Sequence, residues 1–82
     1  MAYVYILKSE KFPKTYVGST TDLERRLKEH NSGKHNYTSK FLPWIIIHSE
    51  EYSLLAEARK REKYLKSAVG RKYIKKNICI PR

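Results

Sequence analysis

Residues 15–33 read TYVGSTTDLERRLKEHNSG, a strand that hands over to a helix within a few residues. Thr15 to Ser19 is a short β-branched and aromatic run. Thr21-Asp22-Leu23-Glu24 then has the form of a capping box. In it the Thr21 hydroxyl accepts the amide three residues on and Glu24 reaches back. Asp22 suits the positive end of the helix dipole. The helix runs through DLERRLKEHN and stops at Ser32-Gly33, where glycine can take the left-handed cap.

Outward from this stretch the chain stays regular. AYVYILK, at the N-terminus, alternates Tyr3, Tyr5 and Leu7 with Val4 and Ile6. Apolar side chains on both faces predict a central strand. SEKFPK breaks it, and Pro13 suits the turn of an antiparallel hairpin. After the first helix, GKHNYTSK reads as loop or a short helical turn. FLPWIIIHSEEY is a third strand, and its run Trp44 to Ile47 predicts cover on both faces. Ser53 is placed to cap a second helix, LLAEARKREKYLKSAV, which Gly70 interrupts before a third, RKYIKKNI. The order β-β-α-β-α-α predicts one α/β (α+β) domain over residues 1–82: a small three-stranded antiparallel sheet flanked by helices.

Eighteen Lys and Arg against eight Asp and Glu give a net charge of +10, spread along the whole chain. Such a field attracts polyanions and weakens with salt, so nucleic acid leads as partner. A membrane surface ranks lower, because no segment pairs a long apolar face with a basic one. The N-terminus lacks the features of a signal peptide, and no apolar run has transmembrane length. The lone cysteine, Cys79, forbids an internal disulfide and reads as a small hydrophobe between Ile78 and Ile80. These features predict a cytoplasmic protein.

Three groups of residues stand out. On a helical wheel with Leu54 at zero, Leu65, Ala58, Val69 and Leu55 fall at about 20°, 40°, 60° and 100°, and Glu62 at about 80°, inside the apolar stripe. A carboxylate there is either paired with a nearby cation or turned to a metal or cleft, and the helix leaves both open. On the first helix, Arg26 and His30 lie one turn apart beside Leu23 and Leu27. Taken alone, a snorkelling arginine and a hydrogen-bonded histidine explain them. Tyr5 and Tyr16 can share one sheet face with Gly18, whose missing side chain would leave an open floor.

Tyr3-Val4-Tyr5, Tyr16-Val17-Gly18, Asp22-Leu23-Glu24-Arg25-Arg26-Leu27 and His30-Asn31-Ser32-Gly33, in this order, resemble the GIY-YIG nuclease family. Residues 43 to 70, through Arg61-Glu62-Lys63 to Gly70, are similar to the second half of its small stand-alone members. Tyr-Val-Tyr stands where the family has Gly-Ile-Tyr, and both motif tyrosines are kept.

The resemblance implies an Mg²⁺- or Mn²⁺-dependent endonuclease acting on nucleic acid, with DNA ahead of RNA. It assigns Glu62 to the metal, Arg26 to the scissile phosphate and Tyr16 to the proton of the attacking water. Tyr5 would orient that water and His30 relay the proton, while Gly18 closes the second half-motif. His35 and Lys40, in the basic loop, are candidates for phosphate contact, and Asn77 is the one residue placed for the family's C-terminal asparagine. The alternatives are a non-catalytic nucleic-acid-binding module with the same fold and a basic protein-interaction domain. No separate DNA-binding domain accompanies these residues, so a protein partner could supply substrate choice.

Overall fold

Valine, isoleucine and tyrosine at alternate positions make the first hairpin. β1 (Ala2–Ser9) pairs antiparallel with β2 (Thr15–Thr20), with Tyr5 opposite Gly18 and Leu7 opposite Tyr16. The computed structural model describes residues 1–78, so Cys79 lies outside the described residues. α1 (Leu23–Asn31), a single 3-10 turn (Thr38–Phe41), β3 (Trp44–Tyr52), α2 (Leu55–Lys66) and α3 (Ala68–Asn77) follow. The sheet is antiparallel in the order β2-β1-β3, which makes β1 the central strand, as its two apolar faces require.

The alternation along β1 divides the interior in two. Val4 and Ile6 pack with Val17, Leu65 and Ile74 beneath α2 and α3. Tyr5 and Leu7 pack with Trp44 beneath α1, joined by Tyr16, Leu23 and Leu27. β3 is an edge strand, and the cover expected over Trp44 to Ile47 is incomplete. Trp44 is buried, but Ile45 is 43% exposed. The pairing also skips Ile47, because Ile6 faces His48 and Leu7 faces Ile46. This bulge lets Ile46 pack on one layer and Ile47 on the other.

The caps differ from their sequence signatures by one residue. Asp22, not Thr21, caps α1, its Oδ1 accepting from the Arg25 amide at 3.1 Å. The Thr20 hydroxyl accepts from the Asp22 amide and starts the turn a residue early. The helix ends at Ser32, and Gly33 takes φ +83° as expected. α2 begins after Leu54 rather than Ser53, and its only side-chain cap among the described residues is Glu57, which accepts from the Leu54 amide. Gly70 does not interrupt a helix. The break falls at Ser67, whose hydroxyl caps α3 by accepting from the Gly70 amide. Gly70 is there for closeness: a Cβ would meet the Tyr64 carbonyl and lie 2.5 Å from Leu65 Cα.

Leu54 and Val69, both assigned to the apolar stripe, are 63% exposed, since one precedes α2 and the other follows the break. α2 therefore buries only Ala58 and Leu65. A fully buried leucine contributes about 2 kcal/mol, so this apolar anchor is thin. A polar one assists it. Glu50 on β3 accepts from Arg61 Nε at 2.9 Å and Nη2 at 3.3 Å, from the Tyr52 hydroxyl at 2.8 Å, and lies 2.9 Å from His48 Nε2. The Arg61 guanidinium also sits over the rings of Tyr64 and Tyr73. Burial alone would push the Glu50 carboxyl up, but Arg61, His48 and Tyr52 together hold it down at about 2.

Because the Glu50 value is depressed, its contribution to stability is complete above the unfolded carboxyl's value near 4.5 and is lost as pH falls toward 2. Glu50→Gln is expected to cost on the order of 2 kcal/mol at pH 7 in urea unfolding, since it leaves Arg61 without its counter-charge. The gap to wild type should close between pH 4.5 and 2. A gap independent of pH would contradict the pairing.

Candidate active site

The β1–β2 register sets Tyr5 against Gly18, and the phenol ring lies across the glycine. A Cβ on residue 18 would be 2.5 Å from Tyr5 Cζ. The open floor expected at Gly18 is thus filled by Tyr5, and Gly18 does not present itself to a ligand. The absent side chain makes room for the ring.

The Tyr5 hydroxyl is the meeting point of two α1 side chains. Arg26 Nε donates to it at 3.3 Å, and His30 Nε2 lies 2.9 Å away. His30 Nδ1 is 3.0 Å from the Thr38 hydroxyl, and the Thr38 carbonyl accepts from the Trp44 indole at 2.7 Å. At the end of α1, Asn31 accepts from the Trp44 amide and donates to the Trp44 carbonyl, tying helix to strand. The i, i+4 spacing of Arg26 and His30 thereby becomes a shared ligation of one phenol.

Protonation follows from burial. His30 is fully buried, and burial, with the charges of His35 and Arg26, drives its imidazole down to about 4. It is neutral at pH 7 and carries one ring hydrogen. Arginine can only donate, so the Tyr5 oxygen accepts from Arg26. With the imidazole hydrogen on Nδ1 facing Thr38, Nε2 accepts a hydrogen bond from the Tyr5 hydroxyl. Burial raises the Tyr5 phenol above its ordinary value, against the lowering effect of Arg26, so it stays protonated.

Arg26 is the open end of this chain. Its Nη1 donates to Glu29 at 3.2 Å, and its side chain is 34% exposed. Tyr16 is half-buried, with its ring centroid 4.9 Å from His30 and 6.5 Å from Tyr5. His35 stacks on His30 at 4.5 Å.

Glu62 approaches from the other layer. Its carboxylate accepts from the Ser19 hydroxyl at 2.5 Å and pairs with Lys66 at 2.7 Å. Ser19 is one residue beyond Gly18, so strand alternation turns it to the α2 face at the edge of the sheet. Lys66 in turn stands 5.5 Å from the centroid of the Tyr16 ring. Burial opposes ionisation of Glu62, but Lys66 and Ser19 outweigh it and hold the carboxyl below its usual range. Of the two readings left open by the helical wheel, the pairing is realised: the carboxylate is salt-bridged to Lys66 and is half-buried.

The donor set bears on metal binding. Among the described residues no group of three His, Cys, Asp or Glu is gathered for a metal. One ionised carboxylate with a hydroxyl beside it suits a hard divalent ion that keeps most of its waters, as Mg²⁺ does. It does not suit zinc, which takes three or four nitrogen or sulfur ligands. Lys66 shows that the position already favours a cation.

Tyr5, Tyr16, Arg26, His30 and His35 thus come together, with Glu62 at their rim. Lys40, in the 3-10 turn, is exposed, and no side-chain contact among the described residues brings it to this cluster. Asn77 is exposed and donates to the Tyr73 carbonyl of its own helix. Thr38, Ser19 and Lys66 complete the site without a signal in the sequence. Thr38 lies in a polar loop, Ser19 is an ordinary strand serine, and Lys66 resembles any solvated lysine one turn from a glutamate.

A model of the GIY-YIG catalytic domain matches residues 1–76. A UPF0213 protein of Staphylococcus haemolyticus is 39% identical over 66 residues, 79% of each chain. One of Syntrophus aciditrophicus is 43% identical over 67 residues, 78% of this chain and 75% of its own. The solution NMR structure of a UPF0213 protein from Bacillus halodurans superposes with a TM-score of 0.52 at 33% identity, covering 90% of this chain and 82% of that one. No helix among the described residues is long and apolar enough to cross a membrane.

Gly18→Ala should displace the Tyr5 ring and cost about 2 kcal/mol in urea unfolding. A midpoint equal to wild type would show that the contact yields freely. Because His30 is depressed to about 4, its share of stability is complete above 6.5 and lost as pH falls from 6.5 to 4. The stability gap between wild type and His30→Asn should therefore shrink across that window. A constant gap would mean that His30 takes up its proton as readily in the folded chain as in the unfolded one.

Proposed function

The chain belongs to the GIY-YIG catalytic domain family, and on that premise we propose that it is a metal-dependent endonuclease hydrolysing phosphodiester bonds in DNA. The observation that carries this reading is the Arg26 guanidinium, held at Nε by the buried Tyr5 phenol while its side chain stays 34% exposed.

Glu62, with Ser19 beside it, would hold Mg²⁺ or Mn²⁺. When bound, that ion supplies positive charge to the phosphate and the leaving oxygen. Arg26 binds the scissile phosphate through its free N–H groups and stabilises the charge that develops there. Tyr16, half-buried and with the Lys66 ammonium 5.5 Å from its ring centroid, would receive the proton of the attacking water while its own hydroxyl proton passes to solvent. The roles first given to Tyr5 and His30 change with their burial: Tyr5 is 1% exposed and His30 is 0%, so neither reaches water or substrate in this conformation. We assign them to positioning. His30 orients the Tyr5 hydroxyl, and Tyr5 orients Arg26. His35, whose ring lies 4.5 Å from that of His30, remains the loop candidate for phosphate contact.

The substrate we propose is DNA with a structural feature such as a branch or flap, encountered in repair or recombination, with a partner protein adding specificity. A cytoplasmic location fits the single cysteine. The second reading, a weakly active or non-catalytic nucleic-acid-binding module, draws on one observation. Both Glu62 oxygens are engaged, by Ser19 and Lys66.

Duplex, single-stranded, branched and flap substrates incubated with and without Mg²⁺ separate the two. Wild type is expected to cut in Mg²⁺, and Glu62→Ala to lose about 100-fold or more of that rate. Arg26→Ala should lose turnover on a similar scale while circular dichroism shows the fold intact. Equal cleavage by Glu62→Ala would remove Glu62 from the site, and absence of cleavage by wild type on every substrate would favour the binding module.

A further inference from the structure

The surface cavities differ sharply in charge. One of about 530 Å³ on the outer side of α1 is lined by Asp22, Glu24 and Glu29 as well as Arg25, Lys28 and Lys34. Its mixed signs do not select a polyanion. Another, of about 380 Å³, includes Glu57. Two more, about 480 and 350 Å³, share Thr15, Tyr37, Arg71 and Ile74 and so form one continuous groove. Lys14 and Lys75 border one end, and Tyr16, Leu65 and Lys66 the other. Among the described residues no acidic side chain lines either part.

We propose that this groove, between the edge of β2 and α3, is the track for a single strand of nucleic acid leading to the Tyr16–Glu62 end. Lys14, Lys66, Arg71 and Lys75 come from three separate elements and are gathered along one channel whose floor, Ile74 and Leu65, is apolar. Tyr37 stands in its wall 46% exposed, its ring 6.1 Å from Tyr16 and 5.3 Å from Phe41. Lys14 lies 5.5 Å from the Phe41 centroid on the same side. Cations at intervals with an exposed aromatic between them match a strand whose phosphates meet the cations and whose bases stack. A duplex keeps its bases stacked internally and offers Tyr37 no face. The groove ends at Lys66, which also touches Glu62, so a strand lying in it is delivered to the candidate centre.

The inference rests on the endonuclease reading, and its test is kept separate by working without metal. Fluorescence anisotropy in EDTA, over a range of KCl, compares a labelled single strand of about fifteen nucleotides with a hairpin duplex. Arg71→Ala/Lys75→Ala should weaken single-strand binding about tenfold and lower the salt slope by about 1.4, two phosphate contacts' worth. Tyr37→Ala should weaken it about tenfold with the slope unchanged. Lys72→Ala/Lys76→Ala removes the same charge from the same helix outside the groove and should have a much smaller effect. All five residues are exposed, so the variants should keep the fold.

Equal losses from the two double variants would overturn the groove and leave only general charge attraction. So would duplex binding that is as tight as, and as sensitive as, single-strand binding. Wild type that cuts while its groove variants bind normally sinks the groove alone. Wild type that cuts nothing but shows the predicted binding losses sinks the nuclease reading alone.

Discussion

Tyr5 lying over Gly18 is the contact on which the rest depends. A side chain at residue 18 would push the phenol off the sheet, and the hydroxyl would leave Arg26 and His30 together. Those two are spaced one helical turn apart, so a single phenol can hold both only if α1 lies at one height and rotation against the sheet. Asn31 and Trp44 then lock the end of α1 to the start of β3. The chain of bonds from Arg26 through Tyr5, His30 and Thr38 is complete, and no buried side-chain polar atom among the described residues is without a partner. In a low-dielectric interior that completeness rigidifies.

Two carboxylates of α2's neighbourhood meet opposite fates. Glu50 is gripped by a two-point arginine and two further groups, and such an arrangement is expensive to break. Glu62 is held by a serine and by a lysine one turn away that is 47% exposed. Pairs of that kind are worth roughly 0.3–0.5 kcal/mol. A divalent cation can displace Lys66 at little cost, whereas nothing displaces Arg61 so readily. That difference, and not the depressed pKa the two share, separates a structural carboxylate from a candidate ligand.

The hairpin, the first helix and the element order were legible because alternation and capping chemistry are local. The cap of α1 moved by one residue because the Thr20 hydroxyl closes a turn that pairwise spacing does not reveal. The apolar stripe of α2 was overdrawn for a similar reason: Leu54 and Val69 fit the wheel but lie outside the helix that it describes. Glu62 was correctly directed at the sheet, although its meeting with Ser19, forty-three positions earlier, follows from strand order alone. Gly18 was rightly linked to the tyrosines, but the direction of the vacancy was reversed.

By itself the sequence determined the antiparallel α+β order and the basic field, which follow from short-range periodicity and residue type. The candidate nuclease residues came from the ordered resemblance to a family and not from periodicity. Only the tertiary structure decided that Tyr5 and His30 are buried while Arg26, Tyr16 and Glu62 stay partly exposed. It also decided that Lys14, Tyr37, Arg71 and Lys75 share one channel. Burial and convergence depend on which elements pack together, and residues sixty positions apart carry no local trace of that.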